Sequence, residues 1–455
     1  MTEKVQTKVL HVSANDSVGG AARAAYRIHR SLVQFGHIYS IDSAFRVIYQ
    51  NINDETIIGG EPALGTSLFS KLCRKFDLLK LRVHRFRFRN FESENSVLHS
   101  EALSTTGLGV EVSERYRAGS HSILHLHWLG NQTFSIEELG AIRQPVVWTL
   151  HDQWPFCGAE HYVSPPRLGD CESLDKRFSL GYSKDSRDPS DIGPDLNRST
   201  WLRKLYAWQS PMHVVCTTKW MADCVRSSTL MHDWPVSVIP YPIDLAAWAP
   251  FDRAMARNLL NLPLDKTLIL FGADGGIKDY RKGADLLFQA FAHFLDLDFV
   301  DKANDIELVV FGQSRPSDLP DLGLPIHFVG RVQEDFVLRL YYAAADLMVV
   351  PSRLEAFGQT ASEALSCGIP VVAFRTGGLV DVIDDLVTGA LADPFSPRSL
   401  AAAMHWVLHD PQRRIGLGIA ARERALKLWS PKRIVGKYAA VYRQEIESFT
   451  TSQNI

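Results

Sequence analysis

Short runs of apolar residues alternate along the chain with longer segments in which apolar residues recur every three or four positions. The first pattern is typical of buried strands and the second of helices that cover a sheet. The clearest unit is residues 346–381, where apolar runs at 347–350 and 371–374 flank a helix predicted to begin near Gly358. Because parallel strands present the loops that follow them at one edge of the sheet, this unit predicts a ligand-binding edge.

The same strand pattern recurs in both halves of the chain. Strands are predicted at 8–12, 122–127, 146–150, 213–217, 267–271, 306–311 and 326–330, and helices at 21–36, 396–409 and 411–428. A chain of 455 residues exceeds the size of one typical core. We therefore predict an α/β protein with two doubly wound parallel-sheet domains, at 1–245 and 246–429, and a final helical segment at 430–455.

Composition changes this picture little. Hydrophobic residues make up 46% of the chain and charged residues 22%, and the net charge of −2 gives no field that favours nucleic acid. The sequence shows neither a signal-peptide pattern nor an apolar run long enough to span a bilayer, so we expect a cytoplasmic protein. None of the six cysteines forms a C-x-x-C pair. We therefore expect free thiols and no zinc site, with a local Cys157–Cys171 disulfide as the alternative.

Two glutamates bracket the start of the helix near Gly358. Glu355 lies just before it, and Glu363 lies about one and a half turns inside. The N–H groups of Gly358, Gln359 and Thr360, at the positive end of the helix dipole, suit a diphosphate. Glu363 could then reach a ribose diol, while Glu355 faces the group attached beyond the phosphates. Taken alone, however, such a pair also fits two ordinary surface acids.

Cations and glycines before two other predicted helices suggest further ligand contacts. Arg281 and Lys282 directly precede a helix, where a bidentate guanidinium and an ammonium suit a diphosphate. Gly19 and Gly20 follow the first strand and allow close approach of a ligand to the backbone. Their loop lacks the G-x-G-x-x-G fingerprint, which disfavours a Rossmann oxidoreductase. Arg23 is either a phosphate or acceptor contact or an exposed residue of the first helical turn.

Histidines end two of the predicted strands of the first half. His127 ends the strand at 122–127, and His151 and Asp152 follow the strand at 146–150, where ligands bind in doubly wound folds. The alternative for each histidine is a buried structural role. Residues 152–208 are rich in loop signals, and we predict an acceptor loop or a mobile lid there.

A basic amphipathic helix is predicted at residues 67–91. Its apolar residues recur at spacings of three and four, and lysines and arginines occupy most of its other positions. Such a helix could lie on an anionic membrane surface or pack on the first domain with a solvated basic face. The sequence leaves both possibilities open.

Two stretches resemble a known enzyme family. The run PSRLEAFGQTASEALSCGIPVVA at 351–373 resembles the EX7E signature of retaining glycosyltransferases of family 4. The run TLHDQWPF at 149–156 resembles a subgroup that builds bacterial exopolysaccharides, including colanic acid. The resemblance covers most of the chain and is strongest in the second half.

The resemblance implies the GT-B fold, with two Rossmann-like domains facing a cleft and a C-terminal helix that crosses back to the first domain. It also implies a nucleotide-diphosphate sugar as donor, bound without a metal or other cofactor. Lys282 matches the family lysine that contacts the leaving diphosphate, and His151 aligns with the family histidine near the reacting sugar. The chain lacks the family's Gly-Arg at 273–274, for which Arg281 is the candidate replacement.

We therefore expect a retaining, hexosyltransferase-type glycosyltransferase of bacterial surface polysaccharide biosynthesis, with a glycan or undecaprenyl-linked acceptor and possible contact with the inner face of the cytoplasmic membrane. The expected catalytic residues are His151, Glu355 and Lys282. The expected donor-binding residues are Gly19, Gly20, Arg281, Lys282, Gly358, Gln359, Thr360 and Glu363, and the acceptor-side residues are Asp152, His127 and Arg23. Two alternatives remain: a non-catalytic nucleotide-sugar-binding scaffold of a polysaccharide assembly complex, and a GT-B sugar-nucleotide epimerase.

Overall fold

Two parallel sheets with their crossover helices form the framework of the protein. The computed structural model describes residues 6–60, 75–76, 79, 81–83, 86, 99–104, 106–115, 122–163, 177–187, 189, 191–272, 277, 279–295, 305–317 and 319–453. The chain divides into a first unit, Met1–Pro242 with Pro431–Ile455, and a second unit, Ile243–Ser430.

The sheet of the first unit has seven parallel strands in the order β3-β2-β1-β4-β5-β6-β7. They are β1 (Thr7–Asn15), β2 (Ile41–Tyr49), β3 (Ile57–Ile58), β4 (Ser122–Leu126), β5 (Val146–Leu150), β6 (His213–Cys216) and β7 (Val236–Val238). The central strands β1, β4 and β5 are almost entirely buried, as expected for a parallel sheet that is covered on both faces.

The sheet of the second unit has six parallel strands in the order β10-β9-β8-β11-β12-β13. They are β8 (Thr267–Gly272), β9 (Ile306–Phe311), β10 (Ile326–Phe328), β11 (Leu347–Val350), β12 (Val371–Phe374) and β13 (Gly389–Ala392). One apolar core joins the strands β8, β9, β11, β12 and β13 to the helices beside them.

Most of the described α-helices connect successive strands, and three consecutive helices end the chain. The described α-helices are α1 (Gly20–Phe35), α2 (Leu108–Arg115), α3 (Ile136–Gly140), α4 (Arg177–Leu180), α5 (Leu196–Ala207), α6 (Lys219–Ser227), α7 (Arg253–Leu260), α8 (Ala284–Leu295), α9 (Asp335–Ala344), α10 (Gln359–Ser366), α11 (Leu379–Val382), α12 (Pro397–His409), α13 (Pro411–Leu428) and α14 (Pro431–Gln453). The last helix, α14, packs on α1 and on strands β4 and β5 of the first unit. The predicted fold class, two Rossmann-like parallel sheets with a C-terminal helix that returns to the first, is confirmed.

The predicted irregular segment 152–208 is only partly irregular, because it contains α5. The Asp195 carboxylate caps α5 by accepting a hydrogen bond from the Arg198 N–H at 2.9 Å. Lys204 of α5 is fully buried. Its ammonium donates to backbone carbonyls of the turns that follow β5, those of Trp154, Cys157 and Gly158. From the sequence, a lysine is normally expected at the surface, but Lys204 lies in the core. The pattern of buried positions therefore did not predict α5.

Two further sequence-based expectations meet the described residues only in part. Most of the predicted basic helix at 67–91 lies outside them; its described positions are helical, and Phe76, Leu79 and Val83 are exposed. No described helix is both long and apolar enough to cross a membrane. Cys216, Cys224 and Cys367 are free thiols. Cys73 and Cys171 lie outside the described residues, so the Cys157–Cys171 alternative stays a prediction.

A buried aspartate ties the start of the second unit to its central strands. The Asp346 carboxylate accepts hydrogen bonds from the guanidinium groups of Arg253 at 2.6 Å and Arg257 at 2.8 Å, and from the backbone N–H of Leu268 at 2.9 Å. A third guanidinium, that of Arg414, lies 3.4 Å from the same carboxylate. Asp346 therefore joins α7, β8 and α13 at the head of β11.

Replacing Asp346 should expose how much the second unit depends on this contact. We expect Asp346→Ala to lower the free energy of unfolding by about 3–5 kcal/mol, because it leaves a buried arginine without its counter-charge. The exposed Asp265, replaced in the same way, should change stability by less than about 0.5 kcal/mol. Urea unfolding measures both, and equal stabilities of the two variants would contradict the assignment.

Candidate functional site

Glu355, in the loop after β11, is the centre of a charged cluster in the second unit. Its carboxylate is buried and accepts hydrogen bonds from the Lys282 ammonium at 2.6 Å and from the Ser352 hydroxyl at 2.9 Å. The Arg281 guanidinium lies 3.6 Å from its second oxygen. Burial alone would raise the pKa of the Glu355 carboxyl, but the two cations and the two hydrogen bonds hold that pKa below its ordinary value. Glu355 is therefore an anion at neutral pH.

The Lys282 ammonium can serve a second partner besides Glu355. An ammonium has three N–H donors, and within the described residues Lys282 uses one of them. Burial and the neighbouring Arg281 charge lower the pKa of Lys282, while the Glu355 charge opposes this shift. The side chain retains 19% exposure, so two donors remain for an anionic ligand.

A buried arginine, Arg353, fastens the lysine loop to the glutamate loop. Its guanidinium donates to both carboxylate oxygens of Asp285 in α8, at 2.7 and 2.6 Å, and to the Tyr280 carbonyl at 2.7 Å. It also stacks on the Tyr280 ring, 3.7 Å from the ring centroid. The Arg353 N–H donates to the Arg281 carbonyl at 2.8 Å. These contacts set the separation between Lys282 and Glu355.

Two glycines allow the loops to approach each other this closely. Gly283 has a φ of 67°, and a Cβ there would overlap the carbonyl oxygen of Pro351. Gly377 has a φ of 54°, and a Cβ there would lie 2.6 Å from the Glu355 carbonyl oxygen. The N–H of Gly378 donates to that same carbonyl at 2.7 Å. The Gly377-Gly378 turn therefore supports the Glu355 backbone from behind.

The helix after Glu355 begins as predicted, but its glutamate is more enclosed than expected. Gly358 precedes α10 in the left-handed conformation, with a φ of 89°, and no side chain caps the helix. Gln359 and Thr360, in its first turn, are half-buried. Glu363 is buried and accepts a hydrogen bond from the Tyr342 hydroxyl at 3.0 Å. Its predicted ribose contact stays a prediction.

The predicted replacement of the missing Gly-Arg by Arg281 also stays a prediction, because residues 273–276 lie outside the described residues. The Arg281 guanidinium donates to the Leu354 carbonyl at 3.1 Å and to the Asp279 carboxylate at 3.0 Å. Arg281 therefore braces the Glu355 loop as well as adding positive charge beside it.

In the first unit, the glycine loop after β1 has the backbone shape that the sequence suggested. Gly19 has a φ of 84° and precedes α1, which begins at Gly20, and no atom lies within 4 Å of the position that a Gly19 Cβ would occupy. Among the described residues, a side chain at Gly19 would therefore meet no neighbour. The N–H of Arg23 closes the first turn of the helix on the Gly19 carbonyl. The roles of these three residues stay predictions.

Four buried histidines on neighbouring strands, His11, His125, His127 and His151, form what we call the histidine array. Nδ1 of His11 lies 2.8 Å from Nε2 of His127, and Nδ1 of His127 lies 3.0 Å from Nε2 of His151. Nδ1 of His151 lies 2.7 Å from the Tyr241 hydroxyl. Three rings and one phenol thus form a single line of hydrogen bonds. Both ring nitrogens of His151, a predicted catalytic residue, are occupied within it.

The fourth ring of the array, His125, connects it to the C-terminal helix. His125 stacks on His127 with ring centroids 4.3 Å apart. Its two nitrogens lie 2.7 Å from the hydroxyls of Tyr442 and Thr149, and the Thr149 hydroxyl lies 3.1 Å from that of Tyr438. The position of α14 on the first unit is therefore fixed by polar contacts in the core.

Among the described residues, three histidines of the array lie close enough together to be considered as metal ligands. One ring nitrogen from each of His11, His125 and His127 falls within 4.8 Å of the others. A side chain that binds a metal must present a free lone pair. Of the six ring nitrogens of these three histidines, five already pair within the protein, and only Nε2 of His11 has no partner in the described chain. The donor set therefore fits a hydrogen-bonded array better than a metal centre.

A small cavity in the first unit brings together three of the predicted residues, His127, His151 and Asp152. The Asp152 carboxylate accepts hydrogen bonds from the Trp128 indole at 3.1 Å and from the ring of His161 at 2.7 Å. His161 is absent from the sequence prediction. Its only sequence signal was its position shortly after His151-Asp152.

Among solved structures, the fold resembles those of glycosyltransferases across nearly the whole chain. The sucrose-phosphate synthase from Thermosynechococcus elongatus aligns with a TM-score of 0.60 and 19% identity over 97% of this chain and 100% of that one. Anabaena Alr3699/HepE in complex with UDP and glucose aligns with a TM-score of 0.62 and 16% identity over 96% and 100%. WaaG, a glycosyltransferase of lipopolysaccharide biosynthesis, aligns with a TM-score of 0.56 and 16% identity over 95% and 99%. The fold is therefore that of the GT-B glycosyltransferases.

The family assignment rests on the second unit. Residues 257–424 match the family model described as glycosyl transferases group 1. The D-inositol 3-phosphate glycosyltransferase of Nocardiopsis dassonvillei is 36% identical over 222 residues, 46% of this chain and 51% of that protein. That of Catenulispora acidiphila is 35% identical over 217 residues, 45% and 50%. The chain thus spans about half the length of these curated relatives.

These comparisons confirm the resemblance to group 1 glycosyltransferases. The narrower resemblance to exopolysaccharide enzymes stays a prediction, because the curated relatives carry another name.

The close approach at Gly283 yields a prediction on stability. We expect Gly283→Ala to destabilise the protein by about 1–3 kcal/mol, because the methyl group meets the Pro351 carbonyl and the backbone is left-handed. Gly416→Ala, in α13 with no atom near the added methyl, should instead stabilise by about 0.5–1 kcal/mol. Urea unfolding of the pair checks both signs, and a neutral Gly283→Ala would contradict the described contact.

The buried histidines yield a prediction on pH. Burial lowers the pKa of His29 and His151 to about 4. Between about pH 6.5 and 4 the unfolded chain therefore binds protons that the folded chain does not bind. The free energy of unfolding falls as the pH falls through this window. By about pH 5 the loss should reach about 2 kcal/mol for each of these histidines.

Urea unfolding at a series of pH values measures this slope. The variant His29→Gln should lower the slope between about pH 6.5 and 4 by up to one proton, whereas exposed His232→Gln should leave it unchanged. An unchanged slope in His29→Gln would show that His29 is not buried in its neutral form.

Proposed function

We propose that the protein is a retaining, metal-independent glycosyltransferase that moves a hexose from a nucleotide-diphosphate sugar to a glycan or lipid-linked glycan acceptor. The observation that carries this proposal is the ion pair between Lys282 and the buried Glu355, set before the first turn of α10 in the group 1 region. The second unit binds the donor and the first unit binds the acceptor.

The charges of the second unit suit the diphosphate. Lys282 keeps two donors for phosphate oxygens, and Arg281 adds a second positive charge beside it. The uncapped N-terminus of α10 supplies backbone N–H groups and the positive end of a helix dipole. Together these groups stabilise the negative charge that develops on the departing diphosphate, which is the role a metal ion plays in other transferases.

In this proposal Glu355 lies at the sugar of the donor. As an anion beside Lys282, it holds the ammonium in place and can accept hydrogen bonds from sugar hydroxyls. In the proposed step the bond from C1 to the phosphate oxygen breaks, and the acceptor oxygen bonds to C1 on the same face. The acceptor proton passes to the leaving phosphate oxygen, so no separate base is required and the configuration at C1 is retained.

The acceptor and the cellular setting belong to the same proposal. We place the reaction in bacterial surface polysaccharide synthesis at the cytoplasmic side of the membrane, with residues 67–91 as the membrane contact. A second candidate acceptor is a phosphorylated inositol, because the curated relatives that match about half their length are D-inositol 3-phosphate glycosyltransferases. UDP-sugars are the first donors to test, because the structurally similar Alr3699/HepE is in complex with UDP and glucose.

The proposal is tested by donor binding followed by transfer. The UDP-, GDP- or ADP-sugar that the protein binds should raise its melting temperature. Glu355→Gln and Lys282→Ala should each lower kcat by about 100-fold or more while the protein stays folded, because each removes charge from the reacting centre. NMR of the product should show the anomeric configuration of the donor.

The exposed Lys427 in the same unit provides the matched control, and Lys427→Ala should keep its full activity. Near-normal transfer by both Glu355→Gln and Lys282→Ala would refute the assigned site. Donor binding without turnover on any acceptor would instead support the non-catalytic scaffold, and an isomerised nucleotide sugar would support the epimerase.

A further inference from the structure

Asp152 holds one imidazole of the first-unit cavity in a single orientation. Its Oδ2 accepts from Nδ1 of His161 at 2.7 Å and from the Trp128 indole at 3.1 Å, and its Oδ1 accepts from the Trp154 N–H at 3.1 Å. Both Asp152 and His161 are buried. A carboxylate on Nδ1 places the proton of a neutral imidazole there, so Nε2 of His161 keeps its lone pair.

Three histidines line this cavity, and they differ in what they can offer a ligand. His127 pairs through both ring nitrogens, with His11 at 2.8 Å and His151 at 3.0 Å. His151 pairs through both ring nitrogens, with His127 at 3.0 Å and Tyr241 at 2.7 Å. Within the described residues, no protein group pairs with Nε2 of His161. Of the three rings, His161 therefore has the hydrogen-bond acceptor that a ligand can use without disturbing the core.

The lining of the cavity indicates which ligand group it suits. Three of its walls are tryptophan side chains, those of Trp128, Trp148 and Trp154. No lysine or arginine is among the described residues that line it. Its one formal charge is the Asp152 carboxylate, which disfavours phosphate. The cavity has room for about one water molecule, which matches a single hydroxyl group and not a whole sugar ring.

We propose that Nε2 of His161 accepts a hydrogen bond from a hydroxyl group of the acceptor, so that the first unit recognises an uncharged polyol or sugar hydroxyl. This inference rests on the proposed glycosyl transfer and identifies a group that orients the acceptor. Asp152 is the positioning residue, because it acts by holding the His161 ring. If the acceptor carries a phosphate, that phosphate binds outside this cavity.

The inference is tested by binding of two uncharged probes, methyl α-glucoside and myo-inositol, to the full chain by saturation-transfer NMR. His161→Asn should weaken the binding of at least one probe by about tenfold, the value of one hydrogen bond. His161→Gln should restore part of it, because the Gln side chain reaches far enough to place an oxygen near the former Nε2. His232→Asn, an exposed change in the same unit, should bind the probes as the wild type does.

Transfer kinetics with the same probes add readouts that a purely structural role would not move. His161→Asn should raise KM for the probe while leaving KM for the donor unchanged. The inference is overturned if the wild type binds neither probe, or if His161→Asn binds both as the wild type does. Binding that depends on His161 but brings no transfer with any donor would instead overturn the proposed function.

Discussion

A carboxylate removed from water is stable as an anion only where cations and hydrogen-bond donors surround it, and Glu355 depends on that condition. Its cations follow β8 while Glu355 follows β11, so the cluster forms because these two strands are neighbours in the sheet. Arg353 sets the separation of the two loops, and Gly283 allows them to touch. Strand order, one buried arginine and one left-handed glycine are thus all conditions for placing a single negative charge.

The two units provide polarity of opposite kinds. In the second unit the polar groups at the candidate site are formally charged, with lysine, arginine and carboxylate in direct contact. In the first unit they are mostly neutral imidazoles, phenols and indoles, because burial lowers the pKa of the histidines of the array. Charged groups suit the diphosphate of a donor, and neutral ones suit the hydroxyls of an acceptor. On the proposed function, this difference assigns the donor to the second unit and the acceptor to the first.

Elements and site residues were predicted from the sequence where the contacts that form them are local. They were missed where a partner distant in sequence determines whether a residue is buried or paired. Apolar runs predicted the central strands, and the loop from Glu355 to α10 was predicted because its residues are consecutive. Strand β2 was not predicted because it contains Arg46. This arginine is buried because its guanidinium pairs with Glu111 in α2 and donates to backbone carbonyls of β2 and of the segment around β3. His161 belongs to no recognisable sequence motif, and its candidate role depends on its contact with the Asp152 carboxylate in the fold.

The histidine array has a property that follows from counting protons. While its three hydrogen-bonded rings are neutral, each contact holds one proton, so the line from His11 through His127 and His151 to Tyr241 can run in only two directions. No ring can reverse by itself without placing two protons, or none, in one contact. The hydroxyl of Tyr241, directly before the residue at which the chain leaves the first unit, is therefore a donor in one direction and an acceptor in the other. A single proton position at His11, on a different strand, decides which.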